Sequence, residues 1–335
     1  MVPREPRVVR TARETLVTTR DSSPRVARDV PGKDYNALRT HTPLVNRILL
    51  TGCSGFLGRY VGTRLADTYD VLGTYLTADV SSLDFETVKV DLLNPPFPRL
   101  LEYDPDALVH CAALTDVDEC ERNPGRAVRL NVDATEHVAS LAAETGARLL
   151  YVSTDSVFDG SRGWWAETDS PDPVNVYGET KLDGERTAAR LNDDTVVART
   201  NFFGWNGAGR GSLAEWMIET LASGDRLPGF EDAFFTPLFA GDLATSLEAL
   251  LVRDDTGVVH LGSRDRMSKY EFAREVAEVF ELDSSSVAPV EMSSVDLDAP
   301  RGNDLSLDTA RAETVLGRRM PDIRTGLERM RRERQ

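Results

Sequence analysis

The run Asn46-Arg47-Ile48-Leu49-Leu50-Thr51-Gly52-Cys53-Ser54-Gly55-Phe56-Leu57-Gly58 decides the fold of this chain. Its apolar first half reads as a short buried strand, and a helical pattern continues from Phe56 through Leu65. Between them glycine recurs at every third position, Gly52, Gly55 and Gly58, so the backbone can turn tightly and come close to a phosphate. The helix N-terminus stabilises that negative charge. In this order the three pieces read as the cradle of a dinucleotide, with Ser54 inside the turn.

The alternation continues outward. Val71–Tyr75, Val88–Val90 and Ala107–His110 read as the second, third and fourth strands. A long helix is expected from Asn123-Pro124 to Glu144, stopped by Gly146. Arg148–Val152 reads as a fifth strand that delivers Ser153 and Thr154 at its C-terminal end, and Val196–Arg199 as a sixth. Strands alternating with helices predict an α/β fold, a Rossmann-like doubly wound parallel sheet whose ligands collect at the strand C-termini. Beyond residue 200, helices at 212–222, 241–252, 269–281 and 308–316 read as a smaller C-terminal substrate-binding lobe. The expected division is an NAD(P)-binding domain over 44–200, with parts of 233–262 returning to it, and a mainly substrate-binding lobe over 201–330. Residues 1–43 carry nine Arg/Lys against five Asp/Glu and little periodicity. They read as a disordered extension or an upstream start rather than a targeting peptide.

Composition narrows the classes. Hydrophobic residues at 41% of 335 support a sizeable core, and no stretch approaches the ~20 apolar residues of a membrane span. The three cysteines, Cys53, Cys111 and Cys120, have neither pairing nor ligand spacing, which argues against a disulfide framework or zinc site and for a reducing cytoplasm. A net charge of −16 repels nucleic acid. Only Lys33, Lys89, Lys181 and Lys269 are lysines; an acidic, lysine-poor surface stays soluble at high salt and reads as that of a salt-loving source.

Tyr177 and Lys181 stand four apart, on one face of a helix. A lysine ammonium beside a phenol favours phenolate and is expected to lower it from its ordinary value of about 10. Tyr177 could then exchange a proton with a carbonyl or alcohol oxygen near neutral pH. Alone, such a pair is most simply a solvated surface contact. The hydroxyl-rich strand end 23 residues upstream and the glycine turn make a catalytic pair the better reading. Thr154 can donate a hydrogen bond to a carbonyl that accepts hydride while Tyr177 supplies the proton, and Lys181 would also bind the nicotinamide ribose. Asp155 reads as a substrate contact or a turn cap.

Cys111-Ala112-Ala113-Leu114-Thr115 follows the fourth strand; its small residues let the backbone lie against ribose and nicotinamide, or serve tight packing. Cys53 and Cys111 read as buried apolar groups. An acid at the end of the second strand would select NAD, but Gly73-Thr74-Tyr75-Leu76-Thr77 holds none, Asp79 comes late, and no arginine follows. Asp91-Leu92 borders the adenine or only turns the chain. The expected cofactor is NADPH or NADH, with NADPH favoured by the missing acid. Trp164-Trp165 forms a ligand wall or core packing. His110, His137 and His260 lack ligand spacing, so no metal is expected.

The glycine spacing is that of short-chain dehydrogenases, and the longer motifs are more specific. Ser153-Thr154-Asp155-x-Val157-Phe158-x-Gly160, then Pro173-x-Asn175-x-Tyr177-Gly178-x-Thr180-Lys181-x-x-Gly184-Glu185, closely resembles the dTDP-4-dehydrorhamnose reductases. Ala112-Ala113-x-Thr115-x-Val117-Asp118-x-Cys120-Glu121, with Pro124 and Asn131, fits the same family, as do Arg199-Thr200, Gly241-Asp242-Leu243 and Ser268-x-Tyr270-Glu271-Phe272-Ala273. The resemblance spans about 46 to 325. It implies Thr154, Tyr177 and Lys181 as catalytic residues, and Gly52, Gly55, Phe56, Leu57 and Gly58 as the cofactor loop. Ala112, Ala113 and Leu114 match the nicotinamide-side segment, and Thr115, Thr154, Asp155 and Asn175 are the expected substrate contacts. Two departures bear on specificity: Ala299-Pro300 replaces the usual Arg-Pro, with Arg301 displaced, and Leu114 stands where a histidine is common.

The implied activity is NAD(P)H-dependent reduction of the 4-keto group of a nucleotide-linked deoxysugar, dTDP-4-dehydro-L-rhamnose above all, by a cytoplasmic enzyme for which a homodimer is admissible. A dehydratase or epimerase on the same fold is the first alternative, disfavoured because Ser156 stands where a dehydratase commonly has Glu. A non-catalytic regulatory subunit like that of methionine adenosyltransferase is the second.

Overall fold

The computed structural model describes residues 45–95, 97–207 and 211–334, so the expected extension over 1–43 lies outside the described residues. Ile48, Leu49 and Leu50 are buried in Arg47–Thr51 (β1), as in a strand covered by helices on both faces. The chain continues through Phe56–Ala66 (α1), Asp70–Tyr75 (β2), Glu86–Lys89 (β3), Phe97–Tyr103 (α2) and Ala107–His110 (β4). Val117–Arg122 (α3), Pro124–Val128 (α4), Ala134–Thr145 (α5), Arg148–Thr154 (β5), Val176–Leu191 (α6) and Thr195–Thr200 (β6) follow. The remainder comprises Leu213–Ala222 (α7), Ala240–Leu251 (α8), Gly257–Leu261 (β7), Lys269–Val279 (α9), Ala310–Leu316 (α10) and Ile323–Arg332 (α11), with short strand pairs between them.

The seven strands form one parallel sheet in the order β7-β6-β5-β4-β1-β2-β3. Strand order reverses between β1 and β4, and a doubly wound sheet opens its ligand crevice at that point. One face is filled by Val61 and Leu65 of α1 with Leu243 and Leu247 of α8, the other by Leu100, Val138, Leu141 and Tyr151. A second cluster, with Phe203, Met217, Leu227, Phe272, Val276 and Leu327, joins α7, α9 and α11.

Two features, the helix over 123–144 and α11, depart from the sequence reading or go beyond it. The helix expected over 123–144 starts at Pro124 as expected, but Arg129–Asp133 interrupts it with one π-helical turn before α5. That turn carries Asn131, which is buried and aimed at the crevice side of β4. The end at Gly146 is as expected, its φ of 70° being the left-handed cap that favours glycine. Residues 257–261 return to the sheet as its edge strand β7, and α11 is an arginine-rich helix that buries only Ile323, Gly326, Leu327 and Met330.

Candidate active site

Adjacent strand ends β1 and β4 bring the glycine turn against Cys111–Leu114. Gly52 sits at φ 70°, and a Cβ there would lie 2.8 Å from the backbone of Ala112. At Gly58 a Cβ would come within 2.0 Å of the Gly52 carbonyl oxygen, so the first turn of α1 and the loop can only approach this closely as glycine. Gly58→Ala is expected to cost about 1–3 kcal/mol by overpacking and to weaken nucleotide binding with it; unfolding and nucleotide titrations check this.

Beside this turn lies a cavity of about 240 Å³, lined by Gly52, Ser54, Gly55, Thr74, Tyr75, Leu76, Val90, Asp91, Leu92, Ala112 and Ala113 among others. No side chain caps the start of α1, which leaves first-turn N–H groups available to an anion. A cradle without side chains, open donors and an apolar slot together fit a dinucleotide. Of the other expected loop residues, Leu57 has its side chain buried in the core and Phe56 packs on Phe202. Asp91 lines the cavity but also turns the chain, accepting from Leu93 N at 3.0 Å and Asn94 Nδ2 at 3.2 Å.

The candidate reactive groups lie at the end of β5 and on α6. Asn175 caps α6, its Oδ1 accepting from Gly178 N at 2.9 Å, while its Nδ2 donates to Pro300 O at 2.9 Å. Each end of the amide makes one bond within the protein, so Asn175 positions the Tyr177 helix, and one Nδ2 proton and one Oδ1 lone pair remain. Lys181 Nζ donates to Val152 O at 2.7 Å and lies 4.1 Å from the centre of the Tyr151 ring. Burial pushes this ammonium down to about 7, opposed chiefly by Glu185.

Tyr177 is partly buried, and desolvation raises its phenol rather than lowering it. Thr154 acts on it in the phenolate direction and Asp155 against it. The lowering by Lys181 expected from the i,i+4 spacing is therefore not the dominant effect: the ammonium is turned to Val152 O and the Tyr151 face. Thr154 Oγ1 donates to Asp155 Oδ1 at 3.1 Å and accepts from Ser156 N at 3.2 Å. Asp155 is buried, held from its other side by Asn201 Nδ2 at 2.9 Å, and raised by desolvation. Thr115 is exposed.

Two supporting groups were not assigned a role from sequence. Asn131 Oδ1 accepts from Leu114 N at 2.8 Å, and its Nδ2 donates to Leu114 O at 3.1 Å and Thr180 Oγ1 at 3.0 Å. It fixes the Leu114 backbone to α6; its sequence signals were its place in the family resemblance and an Asn inside a helical pattern. Glu185, one turn beyond Lys181, accepts from both Arg199 Nε (2.9 Å) and Nη2 (2.7 Å) and from Ser153 Oγ at 2.5 Å.

The remaining candidates pack. Trp165 is buried and stacks on Phe158 at 4.6 Å, whereas Trp164 is exposed. Burial raises the thiol of the buried Cys53 to about 11 and that of Cys111, which is partly buried on the cavity wall, to about 12, so neither is activated as a nucleophile. His110 and His260 are pushed down to about 3 by desolvation, and no metal-holding cluster occurs among the described residues. Among those residues no helix is long and apolar enough to cross a membrane.

Comparison with known proteins agrees with this geometry. A probable low-salt glycan biosynthesis reductase of Haloferax volcanii, Agl14, is 32% identical over 285 residues, covering 83% of this chain and 95% of that protein. Methionine adenosyltransferase 2 subunit beta of Bos taurus is 32% identical over 304 residues, 87% of this chain and 89% of its own. The crystal structure of dTDP-4-dehydrorhamnose reductase from Bacillus anthracis in complex with NADP matches with a TM-score of 0.76 and 26% identity, over 87% of this chain and 100% of that one. A family model described as RmlD substrate binding domain matches residues 46–335, and the chain belongs to that family.

Proposed function

We propose that this protein reduces the 4-keto group of a nucleotide-linked deoxysugar with NADPH or NADH, dTDP-4-dehydro-L-rhamnose being the expected substrate. The observation that carries the reading is the convergence of Thr154, Tyr177 and Lys181 beside the glycine cradle: Lys181 is bonded to the backbone of β5 two residues before Thr154, and Thr154 acts on the Tyr177 phenol. A nicotinamide bound in the crevice supplies the hydride. Thr154 Oγ1 turns its proton from Asp155 to the ketone oxygen and polarises it. Tyr177 Oη delivers the proton to that oxygen as the alcohol forms. A phenol raised by burial is protonated at neutral pH, the form that a reduction requires. Lys181 holds the cofactor ribose, and its charge stabilises the phenolate left behind. Thr115 and Asp155 are assigned to the substrate, and the lobe over 201–330 is assigned to closing on it.

The test follows NAD(P)H consumption over a panel of nucleotide-linked 4-ketosugars. Consumption with one such ketone supports the reading. No consumption with any of them, together with co-purification of a larger enzyme, would favour a regulatory subunit, the reading for which the similarity to methionine adenosyltransferase 2 subunit beta speaks. Stoichiometric NAD retained through purification would favour an epimerase. We further expect this cytoplasmic enzyme to hold its activity at molar KCl, because a net charge of −16 with four lysines is self-repelling until screened. A rate that peaks at low salt and collapses at molar KCl contradicts that expectation.

A further inference from the structure

Parallel strands β5 and β6 end side by side, with Thr154 opposite Thr200. Asp155 and Asn201 are therefore the first residues beyond the two ends. The Asn201 backbone is pinned there, its carbonyl accepting from Leu238 N at 2.9 Å. Its side chain turns to the carboxylate, Nδ2 donating to Asp155 Oδ2 at 2.9 Å. The other oxygen, Oδ1, accepts from Thr154 Oγ1 at 3.1 Å and from Ser156 Oγ at 3.2 Å. One chain of bonds thus runs from Asn201 through Asp155 to Thr154.

Its direction matters because a carboxylate only accepts. While Asp155 is ionised, Thr154 gives it the hydroxyl proton and receives Ser156 N at 3.2 Å, so the hydroxyl has one orientation. A protonated Asp155 can donate in its turn, and that orientation is lost. Burial pushes Asp155 towards the protonated form. Asn201, Thr154 and Ser156 oppose this through hydrogen bonds, and Lys269 at the start of α9 opposes it through its charge. Arg301 acts on Lys269 but is itself paired with Asp118 at 2.9 Å, and Tyr177 of α6 faces the Asp155 charge. Asn201 supplies the bond to Oδ2, the oxygen that Thr154 and Ser156 leave free.

We propose that Asn201 is a positioning residue, which holds Asp155 in place as an acceptor and so aims the Thr154 hydroxyl for its hydrogen bond to the substrate ketone. The proposal rests on the reductase reading of the site.

Steady-state kinetics of the full chain with NADPH and dTDP-4-dehydro-L-rhamnose, followed across pH, test it. Asn201→Ala should lower kcat about 10- to 100-fold with KM changed by less than about twofold. Direct NADPH titration should be unchanged, which shows that the site is folded. Loss of a donor to the carboxylate raises Asp155, so the acid limb of kcat should move to higher pH. A packing defect would leave that limb where it is. Asp155→Asn should also lower kcat, and adding Asn201→Ala to it should cost less than about twofold more, because the carboxylate through which Asn201 acts is already gone. An unmoved acid limb, or losses that multiply in the double variant, overturns the role while wild-type turnover leaves the reductase reading standing. No turnover of any nucleotide-linked 4-ketosugar by the wild type overturns that reading and the role with it.

Discussion

Tyr177→Phe is expected to reduce turnover by about 10²- to 10⁴-fold while leaving nucleotide binding and KM for the ketosugar nearly unchanged. The substitution removes one oxygen from a partly buried ring and leaves the packing of α6 in place. It removes the proton donor, so the loss appears in kcat and not in ground-state binding. Steady-state kinetics with a direct cofactor titration make the separation, and a near-normal kcat would overturn the mechanism. A loss in KM alone would mean that the phenol only holds the sugar.

The second large effect concerns the buried pair beneath the site. Arg199 and Glu185 are 4% and 6% exposed at their side chains, and Arg199 Nη1 has no hydrogen-bond partner among the described residues. Arg199→Leu leaves the Glu185 carboxylate buried with only Ser153 and is expected to destabilise the protein by about 3–5 kcal/mol. The double variant Glu185→Leu/Arg199→Met removes both charges and should recover most of that loss, because a well-packed apolar pair of similar volume avoids the desolvation of two ions. Chemical unfolding at one fixed KCl concentration measures both.

The double variant also separates packing from electrostatics. Glu185 is the main group opposing the fall of Lys181 to about 7. Removing it lowers that value further, so less ammonium remains at neutral pH. The alkaline limb of the rate profile, where Lys181 loses its proton, should move to lower pH. An unmoved limb would make Glu185 a packing device only.

Much of this was readable along the chain, for a physical reason that differs from element to element. The cradle could be read because it is local: thirteen consecutive residues, 46–58, hold the strand, the glycines and the helix start. Tyr177 and Lys181 could be read because helical periodicity relates neighbours four apart. The broken helix at 129–133 could not, because the π turn is set by what Asn131 reaches, the backbone of Leu114 and the hydroxyl of Thr180 on two other elements.

The pH chemistry shows the same boundary. Sequence spacing put an ammonium beside a phenol and implied a lowered phenol; burial decided the direction instead, raising Tyr177 and lowering Lys181. Desolvation depends on every element packed around a group, and no local spacing encodes it. By itself the sequence determined the sheet and the glycine turn and nominated the candidate reactive groups, since local periodicity and backbone freedom are written along the chain. Only the tertiary structure decided which charges face them and which amides brace the elements that carry them, because those depend on contacts between residues far apart along the chain.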